Sequence, residues 1–252
     1  MMPAKVYQPA NSEETEFCRH IKDLALLGEK TFTPRFSSFL TEREQKLAEQ
    51  TAYQVGVDCG FCGCYEGAVR KIFSAPSEDN ENYPIEAVTF FFRPQDKLTH
   101  RDFLGALMSL GLKRDRIGDI VVTEGAAAVF AVKNAVSLIS AEIDKVGRVG
   151  VKQESGLKID IPEQEFEEIS AVIASSRIDV LVAAACGISR EKAAALIRSG
   201  VVVSDGIELS SVSRNIGEGE VFSVKGYGKF VFDRIGLETR KGKNHAIIKK
   251  YK

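Results

Sequence analysis

The sequence predicts an α+β protein in three successive segments, and three patterns carry that expectation. Apolar residues recur at helical spacing through most of positions 1–83. A strand, helix, strand, strand, helix, strand order runs over 84–165. From 170 to 252, two capped amphipathic helices precede short strands separated by turn residues.

In the first segment, Ser12 to Leu27 and Phe39 to Val55 set apolar residues three and four apart among Glu and Lys, as helices with one buried stripe require. A short strand is expected near Cys64 to Phe73. Ala75 to Pro84 is polar, proline-bounded and aperiodic, which marks a linker and the first boundary.

The second segment opens on β-rich Ile85 to Phe92. Thr99-His100-Arg101-Asp102 then starts a helix with Phe103, Leu107 and Leu110 on one face and Gly111 as its stop, Asp102 completing a capping box with Thr99. Strands Ile117 to Thr123 and Ala126 to Val132 flank the Glu124-Gly125 turn. Asn134 is the expected cap of a helix running to Val146 and closed by Gly147, and Val149 to Gln153 the last strand. This β-α-β-β-α-β order is that of an RRM or ferredoxin-like sandwich.

Charged Glu154 to Glu168 bridges to the third segment. There Ser176 is the expected cap of a helix through Ala185, with Asp179 as reciprocal carboxylate and Ile178, Leu181, Val182 and Ala185 buried. Ser189 caps a second helix with Ala193, Leu196 and Ile197 inside, which sets Arg190 and Arg198 on its solvated face. Val201 to Ser204, the Asp205-Gly206 turn, Ile207 to Leu209 and Val221 to Lys225 predict a small antiparallel sheet.

The 252 residues suit two or three domains, and 44% hydrophobic with 27% charged residues is a globular composition. No apolar run has membrane length and no apolar stretch follows the first residues, so neither export nor membrane insertion is expected. Five cysteines, three of them crowded between Cys59 and Cys64, do not form a secreted disulfide framework and suit a reducing cytoplasm. Net charge is −1, but residues 170–252 carry 14 Lys and Arg against 8 Asp and Glu, and residues 1–169 carry 20 against 27. The basic end is the candidate polyanion surface.

Arg177-Ile178-Asp179, Ser189-Arg190, Leu196 to Val203, Gly219-Glu220 and Lys225-Gly226 together resemble the S4 RNA-binding domain. Thr99 to Gly105, Arg114 to Arg116, Ile117-Gly118-Asp119-Ile120 and Tyr65-Glu66-Gly67-Ala68 resemble the YlmH family, which joins a helical N-terminal part, an RRM-like middle and a terminal S4 domain. The resemblance implies a protein that binds ribosomal RNA or tRNA on bacterial ribosomes, with large subunits carrying stalled peptidyl-tRNA as partner and with no cofactor, metal or small-molecule substrate. Ser204-Asp205 departs from an Asn-Gly-like pair, and Lys225 and Lys229 stand where Arg is common, which keeps charge and loses the planar fork.

RNA contact is therefore expected at Arg177, Ser189, Arg190, Lys192, Arg198, Ser204, Lys225 and Lys229. The start of the second helix supplies unpaired N–H groups and a positive dipole end for a phosphate; the plainer alternative is an ordinary capped helix with a solvated basic face. The stretch Arg234 to Lys252 holds seven Lys and Arg against Glu238, with Arg240, Lys241 and Lys243 in its densest run, and Ala246-Ile247-Ile248 suggests a strand there. Arg93, Lys113, Arg114 and Arg116 form a further basic patch.

Other chemistry is weaker. His100-Arg101-Asp102 matches the kinase catalytic triplet in letters, but neither the metal-holding Asn nor a glycine-rich phosphate loop accompanies it, and capping accounts for Asp102. Cys59, Cys62 and Cys64 lack a fourth zinc ligand nearby. The third middle strand keeps only Phe130 of the aromatics that stack bases in RRM domains, which favours a scaffold role. The expected function is non-enzymatic RNA binding. An RNA-modifying enzyme of pseudouridine synthase or methyltransferase type, the first alternative, would need a catalytic half whose pattern is missing from 1–169; the second is a protein-interaction adaptor using the acidic N-terminal part.

Overall fold

A computed structural model describes residues 7–238 and 244–252 and divides the chain into two compact units, Met1–Pro162 and Glu163–Lys252. In the first, α1 (Ser12–Thr31) is capped by Asn11, whose side chain accepts from the Glu14 N–H at 2.8 Å. Strand β1 (Arg35–Leu40) follows, then α2 (Glu42–Gln54), β2 (Gly60–Cys62) and β3 (Lys71–Ala75), the three strands forming an antiparallel sheet in the order β1-β3-β2. Phe39 therefore lies in a strand and not in the helix its spacing suggests. The cause is local: the Glu44 carboxylate accepts from Thr41 N–H and Oγ–H, both at 2.7 Å, and this box fixes the helix start after Thr41. The strand expected near Cys64 to Phe73 begins only at Lys71, after a turn in which Cys64 has a φ of 70°.

The middle of this unit comprises β4 (Ile85–Phe91), α3 (His100–Ser109), β5 (Ile117–Thr123), β6 (Ala126–Val132), α4 (Lys133–Glu142), the short hairpin β7 (Lys145–Val146) and β8 (Val149–Gly150), and β9 (Lys152–Ser155). The sheet order β5-β6-β4-β9 is antiparallel throughout, with β6 inserted between β4 and β5, the split β-α-β arrangement of ferredoxin-like folds. Asn134 does not cap α4. The helix starts at Lys133 after Val132, Asn134 accepts a hydrogen bond from Arg116, and the helix ends at Glu142 because the β7–β8 hairpin occupies the stretch read as its last turn.

The two faces of this sheet follow from register. Val88 pairs with Val129 and Phe90 with Ala127 on the helix side, where Phe90 and Phe103 of α3 lie 5.6 Å apart. On the other side stand Phe130, Ala128 and Thr89, and these are covered as well. Tyr65 stacks on Phe130 at 4.9 Å, and a Cβ added to Gly118 would come within 2.7 Å of the Phe39 ring. Thr89 Oγ donates to the Gly156 carbonyl at 2.8 Å and accepts from Lys158 N–H at 3.0 Å, so the segment after β9 crosses this face too. All seven residues of β6 are buried. Phe39, Cys62, Ile72 and Tyr83 thus share one core with the middle strands, each large ring adding about 1.5–3 kcal/mol by leaving water.

A carboxylate fastens the same junction. Asp119 of β5 accepts from Tyr65 O–H at 2.8 Å, from Val69 N–H at 2.7 Å and from Arg70 N–H at 3.2 Å. Two separate sequence signals, Tyr65 to Ala68 and Ile117 to Ile120, are in fact two sides of one contact.

The second unit contains β10 (Phe166–Ile173), α5 (Ile178–Cys186), α6 (Arg190–Arg198), β11 (Val202–Ser204), β12 (Ile207–Glu208), β13 (Val221–Val224), β14 (Gly228–Glu238) and β15 (Asn244–Tyr251). Its sheet has six strands in the order β10-β15-β14-β13-β11-β12, larger than the sequence suggests. Part of the expected bridge is strand: β10 starts at Phe166 and pairs with β15 along its whole length. Ile178, Leu181, Val182, Ala193 and Ile197 of the helices pack on Val202, Phe222, Phe230, Phe232, Ala246 and Ile248 of the sheet.

Asp119→Ala is expected to lower the stability of the first unit by about 1.5–3 kcal/mol, the worth of hydrogen bonds to a charged acceptor. Tyr65→Phe should cost about 0.5–1.5 kcal/mol, and the two effects should be less than additive in a double-mutant cycle read by chemical denaturation.

Candidate nucleic-acid interface

The expected basic residues gather around the starts of α5 and α6. Ser176 is not the cap of α5; the residue before the helix is Arg177, which makes no side-chain cap bond. Asp179 is drawn elsewhere. Its carboxylate receives Arg177 through Nε at 3.0 Å and Nη2 at 3.1 Å, and Arg190 through Nε at 2.8 Å. The Asp179 side chain is 5% exposed, whereas those of Arg177 and Arg190 are 36% and 55% exposed. Burial opposes ionisation of Asp179, but the hydrogen bonds from Arg177 and Arg190 prevail and hold its carboxyl below the ordinary value. The trio carries a net positive charge on exposed guanidinium edges held in fixed positions.

Ser189 caps α6 as its sequence implies, its Oγ accepting from Lys192 N–H at 3.2 Å. Ala193 and Ile197 are buried, and Lys192 and Arg198 are exposed. Arg190 sits at the same helix start but is not a simple solvated cation, since its Nε is committed to Asp179.

A second buried carboxylate supports this end of the unit. Glu220 accepts from Ser204 Oγ–H at 2.5 Å, Arg214 Nη2 at 2.9 Å and Gly217 N–H at 3.2 Å. Its loop reaches the start of α5: Ile178 N–H donates to the Arg214 carbonyl at 2.8 Å and Ile216 N–H to the Ser176 carbonyl at 2.9 Å. Ser204 is consequently inside the fold, with no exposed surface, and serves this network and not an outer contact as its sequence position suggests. Nothing in the sequence distinguishes it from an exposed serine at the strand end.

Lys225 is exposed and Lys229 half-buried, on the hairpin between β13 and β14. They border a shallow open depression of about 470 Å³ lined also by Gly200, Val201, Val203 and Ser223. Lys229 Nζ lies over the Tyr251 ring at 4.8 Å. Arg240, Lys241 and Lys243 lie outside the described residues.

The remaining candidates resolve into structural roles. Asp102 accepts from Thr99 N–H at 2.8 Å and Thr99 Oγ–H at 2.6 Å, and these bonds hold its carboxyl below the usual range, the opposite of a base tuned toward neutrality. Arg114 turns inward, Nη1 donating to the Ile117 and Gly118 carbonyls at 2.5 and 3.0 Å, and Arg93 is paired with Asp96 at 2.9 Å. Among the described residues no group of three or more His, Cys, Asp or Glu side chains could hold a metal ion, and no helix is long and apolar enough to cross a membrane. The middle sheet offers no open face for base stacking, since Phe130 is 1% exposed beneath Tyr65.

Asp179→Asn is expected to destabilise the second unit at neutral pH by about 1.5 kcal/mol, the low end for charged hydrogen bonds because both guanidiniums are partly in solvent. Because the Asp179 carboxyl titrates lower in the folded chain than unfolded, its contribution is fully present above the unfolded value of about 3.9 and is lost as pH falls through the folded one. Denaturation of the parent and variant at a series of pH values should show their difference shrinking below that point. A difference independent of pH would contradict the assignment.

Residues 81–158 match the family model described as "Putative RNA-binding domain in YlmH". Over 257 aligned residues the chain is 28% identical to the protein named Ribosome-associated protein quality control protein P2 of Bacillus subtilis (strain 168), covering 98% of this chain and 99% of that one. A solved structure, the Cell division protein ylmH from Streptococcus pneumoniae, shares 22% identity, covers 62% of this chain and all of its own, and superposes with a TM-score of 0.52, a likeness of fold. The domain match lies in the middle of the chain, and the likeness to the Bacillus subtilis protein runs from end to end.

Proposed function

We propose that this protein is a non-enzymatic RNA-binding protein of the cytoplasm that docks on structured ribosomal RNA or tRNA through an S4-type domain formed by its second unit. The observation that carries the reading is the pair Arg177 and Arg190 gathered on buried Asp179 at the starts of two helices, with Lys192 and Arg198 exposed on the second. Two guanidiniums prepositioned beside helix N-termini are suited to phosphate oxygens of a folded backbone, which present charge in a fixed geometry. The near full-length likeness to a protein named for ribosome-associated quality control supports the ribosome as the source of that RNA. The finer form of the proposal is a large subunit carrying stalled peptidyl-tRNA. No turnover enters it. The first unit, from the helical segment through the RRM-like middle domain, is proposed as a scaffold, its sheet being covered on both faces.

The test must avoid Arg190→Glu, which would set a second carboxylate against Asp179 and unsettle the fold. Lys192→Glu combined with Arg198→Glu leaves the buried stripe intact. This variant should remain folded, bind large ribosomal subunits and tRNA more weakly, and lower the log–log salt slope by about 0.7–0.9 for each phosphate it no longer neutralises. Unchanged affinity and slope in a folded variant would refute docking by this surface.

A further inference from the structure

The face of the second unit's sheet turned away from α5 and α6 carries its own ordered row of side chains. Register sets Val203 of β11 beside Ser223 of β13, and Ser223 beside Lys229 of β14. The β14–β15 pairing of Phe230 with Lys250 brings Lys229 to Tyr251, and Tyr251 pairs with Phe166 of β10. These five residues cross five strands in a line of roughly 19 Å at the usual ~4.8 Å strand spacing. None is on the buried side: Phe166 is 39% exposed and the other four are half-buried.

The line changes character along its length. At the β11 end lies the open depression, with Val201 and Val203 as apolar floor, glycines at its border and Lys225 and Lys229 as its lining cations; Glu208, the cross-strand partner of Val203, stands beside Gly200 at its rim. At the β10 end, Tyr251 and Phe166 meet edge to face at 4.9 Å. Lys229 lies over the first ring at 4.8 Å and Lys249 over the second at 6.0 Å. The carboxylates along the β10 edge each stand opposite a lysine: Glu165 binds Lys252 at 3.1 Å, and Glu167 and Glu168 lie in register with Lys250 and Lys249, of which Lys249 is ion-paired to Asp233 at 2.7 Å. Positive charge thus predominates at the depression and is balanced beneath the rings, and the acidic edge bounds the row at Phe166.

We infer that this row is a track for single-stranded RNA, distinct from the helix-side surface, in which Lys225 and Lys229 take phosphates, the depression takes one base and Tyr251 and Phe166 stack the next. The inference rests on the RNA-binding reading above and assigns the unpaired part of the ligand to a different face. Aromatic rings beside lysines across an open sheet are what sequence-tolerant recognition of unstacked bases needs, because every base has a π face and every linkage a phosphate. A protein ligand would gain little from a row whose charge excess sits at a depression with an apolar floor.

The full-length protein is titrated with fluorescein-labelled oligoadenylate and, separately, with an abasic ribose-phosphate oligomer of equal length. The parent should bind oligoadenylate more tightly than the abasic oligomer. Tyr251→Leu and Phe166→Leu should each weaken oligoadenylate by about ten-fold, the scale of one stacked base, while Tyr251→Phe should retain binding and Lys229→Glu should weaken both oligomers. Circular dichroism checks that each variant is folded. Binding of large ribosomal subunits and tRNA by the Tyr251 and Phe166 variants should stay near the parent's, and Lys192→Glu with Arg198→Glu should do the reverse. Equal affinity for the two oligomers, or oligoadenylate binding unmoved by the leucine variants, overturns the track and leaves helix-side docking standing. Failure of the parent to bind any of these RNAs sinks both.

Discussion

Burying one carboxylate, that of Asp179, is the constraint on which the candidate interface turns. An isolated carboxylate in a dry interior costs several kcal/mol, and only partners of good geometry offset it. Here two arginines from different helix starts supply those partners at 2.8–3.1 Å. The penalty of burial thereby fixes where two cations stand, although each keeps a third or more of its side chain in solvent. Glu220 repeats the device one layer back, holding Arg214 and the Gly217 turn, and the Arg214 carbonyl in turn holds the first N–H of α5. The charge seen at the surface is organised by two acids that are not at the surface.

The first unit shows the opposite use of a familiar topology. Its middle sheet has the strand order of nucleic-acid-binding sandwiches, yet the face that would stack bases is filled by Tyr65, Phe39 and the segment around Gly156. Topology alone does not carry function, which lives in what the exposed face presents. Covering the sheet also fuses the N-terminal segment to the middle one, with Asp119 as the polar fastening between them. Burial of every β6 residue leaves small alanines where RRM domains need rings, and the alanine run Ala126-Ala127-Ala128 is what lets two layers approach the strand from both sides.

How much of this is legible in the sequence depends on the range of the interaction. The Ser189 cap, the Thr99–Asp102 box and the β-α-β-β-α-β order are local or periodic and can be read directly. Asp179 cannot: the same Ser-x-x-Asp letters that suggest a capping box describe a residue captured by Arg190, eleven positions away, and a long-range ion pair overrides the local one. Ser204 is misleading for a similar reason, because its partner Glu220 is sixteen residues on. Strand β1 escapes notice because Phe39 and Leu40 continue the apolar spacing of α2 across its cap. Strand β10 is hidden by its acids, which stand opposite lysines of β15 that sequence spacing does not bring together.

That cross-strand pairing has a consequence for where a polyanion can approach. Residues 170–252 carry an excess of cations, but the excess is not spread over the unit: Lys249 is paired with Asp233, Lys252 with Glu165, and Glu167 stands opposite Lys250. The cations of the helix starts, with Lys192, Arg198 and Lys225, are partly or fully exposed. An acidic edge strand also discourages pairing with another chain along its open hydrogen-bonding side, since negative charge and a lysine-matched register make edge addition costly. The acids that guard this edge therefore also shape the electrostatic field of the unit, leaving the cations of the α5–α6 starts with both charge and fixed geometry.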